Sequence, residues 1–185
     1  MSQVDYEINK ELGECYLFMS DFEKARAYYN KAIANDKAMS DPYMGLAAIA
    51  VHEGDLEGAY YLYKKANSLK PGEKPLVGIG MIAMELQRHE EAFGIFCQVL
   101  ACNPGNMTAV NNLLQLAYVL ERLEEAVPYL EEALECGDTE AVRYALAATH
   151  LTLGNEEKAR THLELLLGEN PANDSAKQLY AHLAA

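Results

Sequence analysis

One alanine recurs along this chain at a near-fixed interval and carries a constellation of residues with it. Ala25, Ala59, Ala92, Ala126 and Ala159 are separated by 34, 33, 34 and 33 residues. Four residues after each stands a large apolar group: Tyr29, Tyr63, Phe96, Leu130 or Leu163. Thirteen before each stands Leu12, Leu46, Ile79, Leu113 or Leu146, followed by Gly13, Ala47, Gly80, Leu114 or Ala147. Such a period holds two short helices and a turn. A hairpin of that size cannot bury its apolar faces alone, so neighbouring copies must stack.

Asp41 to Pro71 is the clearest copy. Asp41 is a natural N-cap with Pro42 in the first helical turn, Gly54 ends the first helix, Asp55 caps the second, and Pro71 stops it. Ser20-Asp21 and Gly154-Asn155 supply the same turn chemistry in the first and fifth copies. The fourth copy is the least regular, with Leu114 at the small position and Pro128 just past the first turn of its second helix.

Leu12-Gly13-x2-Tyr16, Ala25-x3-Tyr29 and Ala92-x3-Phe96 carry a family resemblance: the pattern closely resembles the tetratricopeptide repeat (TPR). The early tryptophan of that pattern is replaced by Asn9, Tyr43, Leu76, Val110 and Arg143. The resemblance covers essentially the whole chain. It implies an all-α solenoid, a right-handed superhelix of about five helix–turn–helix repeats, forming a single domain over residues 1–185. The repeats fall at approximately 6–39, 40–72, 73–106, 107–139 and 140–171, with Lys37, Pro71, Pro104, Asp138 and Pro171 near their ends. Residues 172–185 read as a C-terminal capping helix, with Ala176, Leu179, Tyr180 and Leu183 on one side. No comparable cap precedes the first repeat, which leaves exposure, self-association or a longer parent chain as readings.

Charge bears on the partner class. The net charge is −13, and residues 105–185 hold thirteen acids against five bases. An acidic surface repels phosphate backbones and anionic bilayers, so the expected partner is neither nucleic acid nor membrane. No apolar run approaches the roughly 20 residues that span a bilayer, and the N-terminus lacks the basic start and apolar stretch of a signal peptide. Cys15, Cys97, Cys102 and Cys136 match no zinc or redox spacing and suit a reducing, cytoplasmic setting. The histidines form no metal motif, and no serine, cysteine or lysine sits in a nucleophile motif. The expectation is no enzyme, no cofactor and no metal. His150 reads as a hydrogen-bonded core histidine.

The resemblance further implies that first helices line the concave side, which makes that groove the candidate site. By phase it presents Met44, Gly45, Val77, Gly78, Met81, Met84, Asn111, Asn112, Gln115, Tyr118 and Tyr144. Gly45 and Gly78 either hollow the groove floor, with the adaptable methionines around the hollow, or allow tight packing between adjacent first helices. The amides of Asn111, Asn112 and Gln115 could pair with an extended peptide backbone between Tyr118 and Tyr144. The Lys/Asn/Arg set by which some family members clamp a terminal carboxylate is mostly missing, since only Lys10, Lys74 and Asn112 fit single positions. The expected function is a non-enzymatic scaffold binding a peptide or helix of a partner protein. The alternatives are a homo-oligomerising module, with Tyr28, Tyr60 and Tyr61 as an exposed aromatic group, or the recruiting region of a larger enzyme.

Overall fold

A computed structural model describes residues 3–137 and 139–183, and the regular structure among them is entirely helical. Eleven helices follow one another, ten of them in pairs: α1 (Gln3–Phe18) and α2 (Phe22–Asn35), α3 (Asp41–His52) and α4 (Leu56–Leu69), α5 (Glu73–Glu85) and α6 (His89–Cys102), α7 (Met107–Val119) and α8 (Leu123–Cys136), α9 (Glu140–Thr152) and α10 (Glu156–Glu169). The last, α11 (Asp174–Leu183), is unpaired. Asp138, expected at the end of the fourth repeat, lies outside the described residues. The chain divides into two compact units, Met1–Ile95 and Phe96–Ala185.

The turn inside each pair is built the same way five times. Ser20, Gly54, Gln87, Glu121 and Gly154 all have positive φ, between 56° and 78°. The residue after each donates its N–H back to Tyr16, Ala50, Ala83, Ala117 or His150, at 2.8–2.9 Å. This six-to-one bond across a left-handed residue satisfies carbonyls that a helix end leaves orphaned. The next helix then starts at once, capped by Asp21 on the Lys24 N–H (3.2 Å) and by Asp55 on the Gly58 N–H (2.9 Å). The expected Asp41 cap falls one residue earlier: Ser40 precedes α3, and Asp41 opens the helix with Pro42 behind it. Asn155 precedes α10 without a side-chain capping bond. Asn106 and Thr139 cap α7 and α9 at 2.8 and 3.3 Å. Pro128 lies inside α8, which continues past it to Cys136.

The period-setting alanines lie in the core. Ala25, Ala59, Ala92, Ala126 and Ala159 are each 0% exposed. In the first unit Ala25 and Tyr29 pack with Leu46 and Ile49, and Ala59 packs with Ala50 and Ile82. Tyr29 is the largest piece of that core, and it lies where two glycines leave room. A Cβ on Gly13 would stand 2.7 Å from its ring, and one on Gly45 would overlap it outright. A Cβ on Gly78 would stand 2.6 Å from the Tyr63 ring. In the second unit Ala147, Leu163, Leu166 and Ala176 form a core that α11 closes with Leu179, Tyr180 and Leu183. The Arg160 guanidinium donates to the Leu183 carbonyl (3.1 Å), and Glu140 accepts from Asn170 and Asn173 (2.9 and 3.1 Å). The expected capping helix is therefore docked on the fifth repeat.

Two stability tests follow from the turns and the ring contacts. Gly54→Ala should cost about 1 kcal/mol, and Ser20→Gly should gain about as much, because only glycine enters the left-handed region freely. Urea unfolding midpoints measure both. Gly45→Ala should cost about 1–3 kcal/mol by overpacking, and Tyr29→Leu a similar amount through the space it leaves. The double variant copies the Leu130/Ala145 pair of later repeats. It should lose at least about 1 kcal/mol less than the sum, and strict additivity would show that ring and notch are independent.

Candidate functional site

In the first unit, the first helices expose several apolar side chains among charged ones. Val77, Met81 and Met84 follow one another on α5 at helical spacing; Val77 and Met84 are half-buried and Met81 is 47% exposed. Val51 on α3 is 39% exposed, and Phe18 at the end of α1 is 90% exposed. Met44 is half-buried and borders a separate open cleft of about 510 Å³, lined also by Ser40, Asp41, Lys70, Pro71 and Lys74. The hollow that one reading places at Gly45 and Gly78 is absent. Gly45 is buried beneath Tyr29, and Gly78 lies against Tyr63, so these glycines accept rings of the chain's own second helices. Their missing side chains serve packing.

In the second unit, Asn111, Gln115 and Tyr118 lie along α7 at helical spacing, all exposed. Asn112 is half-buried, and its amide donates to the Thr108 carbonyl one turn earlier (2.7 Å), which occupies one of the expected donors. Tyr118 borders an open cleft of about 400 Å³ with Glu121, Arg122, Glu125, Thr152 and Leu153. Arg122 and Glu125 form a two-pronged ion pair there, at 2.6 Å for each contact. Tyr144 is half-buried and packs against the core that α11 closes.

Other singled-out groups resolve as packing. Lys10 pairs with Glu7 (2.9 Å) and Glu11 (3.3 Å), and the hydrogen bond it donates to Glu7 does most to raise its pKa. Tyr28 stacks on Tyr16 at 5.4 Å, Tyr60 donates to Glu91, and Tyr61 alone of that trio is strongly exposed, at 69%. Burial pushes the Tyr29 phenol up to about 12. The four cysteines are free thiols, and burial raises Cys97. Among the described residues no group of three or more metal-ligating side chains gathers, and no helix is long and apolar enough to cross a membrane.

These helical pairs have known counterparts. The tetratricopeptide repeat model matches residues 10–74 and 77–141, and a second tetratricopeptide repeat model matches 141–173. The chain belongs to the tetratricopeptide repeat family. Its fold is accordingly the all-α solenoid class of helical repeats, and proteins of this family act as protein–protein interaction scaffolds. The BBSome complex member BBS4 of Bos taurus is 30% identical over 111 residues, which is 60% of this chain and 21% of that protein. Anaphase-promoting complex subunit 7 of Dictyostelium discoideum is 28% identical over 130 residues, 69% of this chain and 22% of that protein. The chain thus spans about a fifth of the length of these relatives. Among solved structures, Pseudomonas aeruginosa pilF shares the fold with a TM-score of 0.69 at 22% identity, over 97% of this chain and 83% of that one. YrrB, described as a TPR protein with an unusual peptide-binding site, gives a TM-score of 0.69 at 18% identity, over 94% and 89%.

Within this TPR array, the fifth repeat departs from the expected chemistry. His150 is in the core, 2% exposed, but neither ring nitrogen has a hydrogen-bond partner among the described residues. Its ring stacks on His162 at 5.8 Å. Burial lowers the pKa of both imidazoles, and Lys158 pushes His150 further down. Folded, the pair stays neutral while the unfolded chain takes up protons near the ordinary value of 6.5. Stability is therefore present above that value and is lost as the pH falls through it. The urea midpoint should drop between about pH 7 and 5.5, and His162→Leu should flatten that dependence.

Proposed function

We propose that this chain is a non-enzymatic scaffold that holds a peptide or helix of a partner protein on the apolar positions its first helices expose within each unit. One observation carries the reading. The residue eight places before each period-setting alanine is Leu17, Val51, Met84, Tyr118 or Leu151. All five are apolar, and none is fully buried. The position thirteen before, by contrast, supplies Leu46, Ile79, Leu113 and Leu146, all nearly or fully buried. Packing accounts for the second series and leaves the first with apolar surface in water. Such half-exposed apolar positions, repeated on successive helices, suit an amphipathic or extended segment of another polypeptide.

The residues proposed for this role are Val77, Met81 and Met84 in the first unit, and Asn111, Gln115 and Tyr118 in the second. Met44 borders the neighbouring cleft. Asn112, Tyr144, Gly45 and Gly78 support the face by packing or local bonding. Partners are proposed to be proteins or peptides, in keeping with the acidic surface, and a cytoplasmic setting fits the free thiols. Relatives of this chain are named as members of the BBSome and the anaphase-promoting complex, which supports a role inside a multi-subunit assembly.

The test is capture. Val51→Glu with Met81→Glu changes two exposed side chains, so helicity and melting should stay as in the parent. Partner recovery in a cross-linking pull-down from native lysate should fall at least about tenfold, the equivalent of 1.4 kcal/mol. Undiminished recovery by the intact double variant would remove this face as the site.

A further inference from the structure

In register, Ile8 of α1 corresponds to Pro42, Pro75, Ala109 and Val142, and Cys15 corresponds to Ile49, Ile82, Leu116 and Thr149. All eight counterparts are buried. Ile8 is 52% exposed, Val4 one turn before it is 62% exposed, and Cys15 is exposed as well. In the first unit the element that covers the counterpart face is the second helix of the preceding repeat. Ile49 packs with Ala25 and Tyr29, and Ile82 packs with Ala59 beside Leu62 and Tyr63. Between the buried pair, at Gly45 or Gly78, lies the ring of Tyr29 or Tyr63.

The corresponding place on α1 is Glu11, between Ile8 and Cys15, with a side chain 64% exposed. A tyrosine ring has no notch there; a Lys or Arg would meet a carboxylate. Glu7 and Glu14 flank the same stretch. Lys10 pairs with Glu7 and Glu11, so the stretch holds three acids and one base. A second copy pairing through α1 would set like net charge against itself, whereas a basic helix would be drawn to it. The helices that do this work inside the chain also carry cations, such as Lys24, Arg26 and Lys31 on α2.

We infer that the Val4–Ile8–Leu12–Cys15 side of α1 is a docking surface for an amphipathic helix of a partner protein. That helix presents small and apolar side chains in the manner of a repeat's second helix, and carries Lys or Arg where Tyr29 and Tyr63 stand. This surface is separate from the first-helix face of the preceding section and does not depend on it.

The probe is a synthetic peptide of residues 21–37, which is α2 with its flanks, carrying Tyr29→Lys. The readout is the alkylation rate of Cys15, with the exposed Cys102 and Cys136 as controls in the same chain. At about 80% occupancy Cys15 should react about fivefold more slowly while the two controls are unchanged. Ile8→Glu and Glu11→Lys, both at exposed positions, should each remove the protection without changing the circular dichroism spectrum. The unsubstituted peptide should protect less. An unslowed Cys15 at millimolar peptide would overturn the inference, as would equal protection in both intact variants. Protection that grows with protein concentration in the absence of peptide would also overturn it, in favour of a second copy.

Discussion

Tyr29 sits in a space that only glycine can leave, and the first unit is arranged around that fit. Its ring reaches Gly13 of its own hairpin and Gly45 of the next, so a single side chain sets both the spacing within a repeat and the spacing to its neighbour. Tyr63 meets Gly78 in the same way. Glycine inside a helix costs about 1 kcal/mol relative to alanine. Burying an aromatic ring returns more than that, because its contacts are with close-packed protein on every side. The exchange explains why three glycines, Gly13, Gly45 and Gly78, stand inside otherwise good helices.

The same two positions vary together along the chain. Tyr29 goes with Gly45, Tyr63 with Gly78, Phe96 with Asn112, and Leu130 with Ala145. Where the projecting group is a tyrosine the receiving residue has no side chain, and where it is a leucine the receiver is an alanine. A comparable substitution operates inside the hairpin. Tyr16 and Tyr28 stack in the first repeat and His150 and His162 in the fifth, at positions held by Ala50 with Leu62 and Ala117 with Tyr129 in others. Each repeat fills these positions with a different combination of side chains, which is how helical repeats tolerate divergence without losing their stacking.

The period, the helix pairs, the Gly54 and Gly154 turns and the docking of α11 were all legible in the sequence, because they depend on residues close together in the chain. Ser20, Gln87 and Glu121 occupy the same left-handed position as the glycines, yet only position within the repeat marks them, since side-chain type argues against that conformation. The space left by the glycines on the candidate face is taken by Tyr29 and Tyr63. A sequence shows that a side chain is missing; it does not show which distant side chain fills the gap. The covariation of residue pairs 15 or 16 apart was the signal that could have found Tyr29 over Gly45, and it needs the four pairs compared together. His150 was legible as a core residue. Its lack of hydrogen-bond partners was not, because that depends on what the facing helices fail to offer.

A repeat built this way separates two kinds of apolar residue. Leu46, Ile79, Leu113 and Leu146 answer to the facing helices of their own array, so their size is constrained by volume already present. Leu17, Val51, Met84, Tyr118 and Leu151 are less constrained, since all keep surface in water even where, as at Leu17, one side packs on the core. They range from aliphatic to thioether to phenol. Varied side chains under a common requirement to be apolar are expected where the surface facing them changes from repeat to repeat. An asymmetric partner segment has that property, whereas a self-packed core of near-identical hairpins does not.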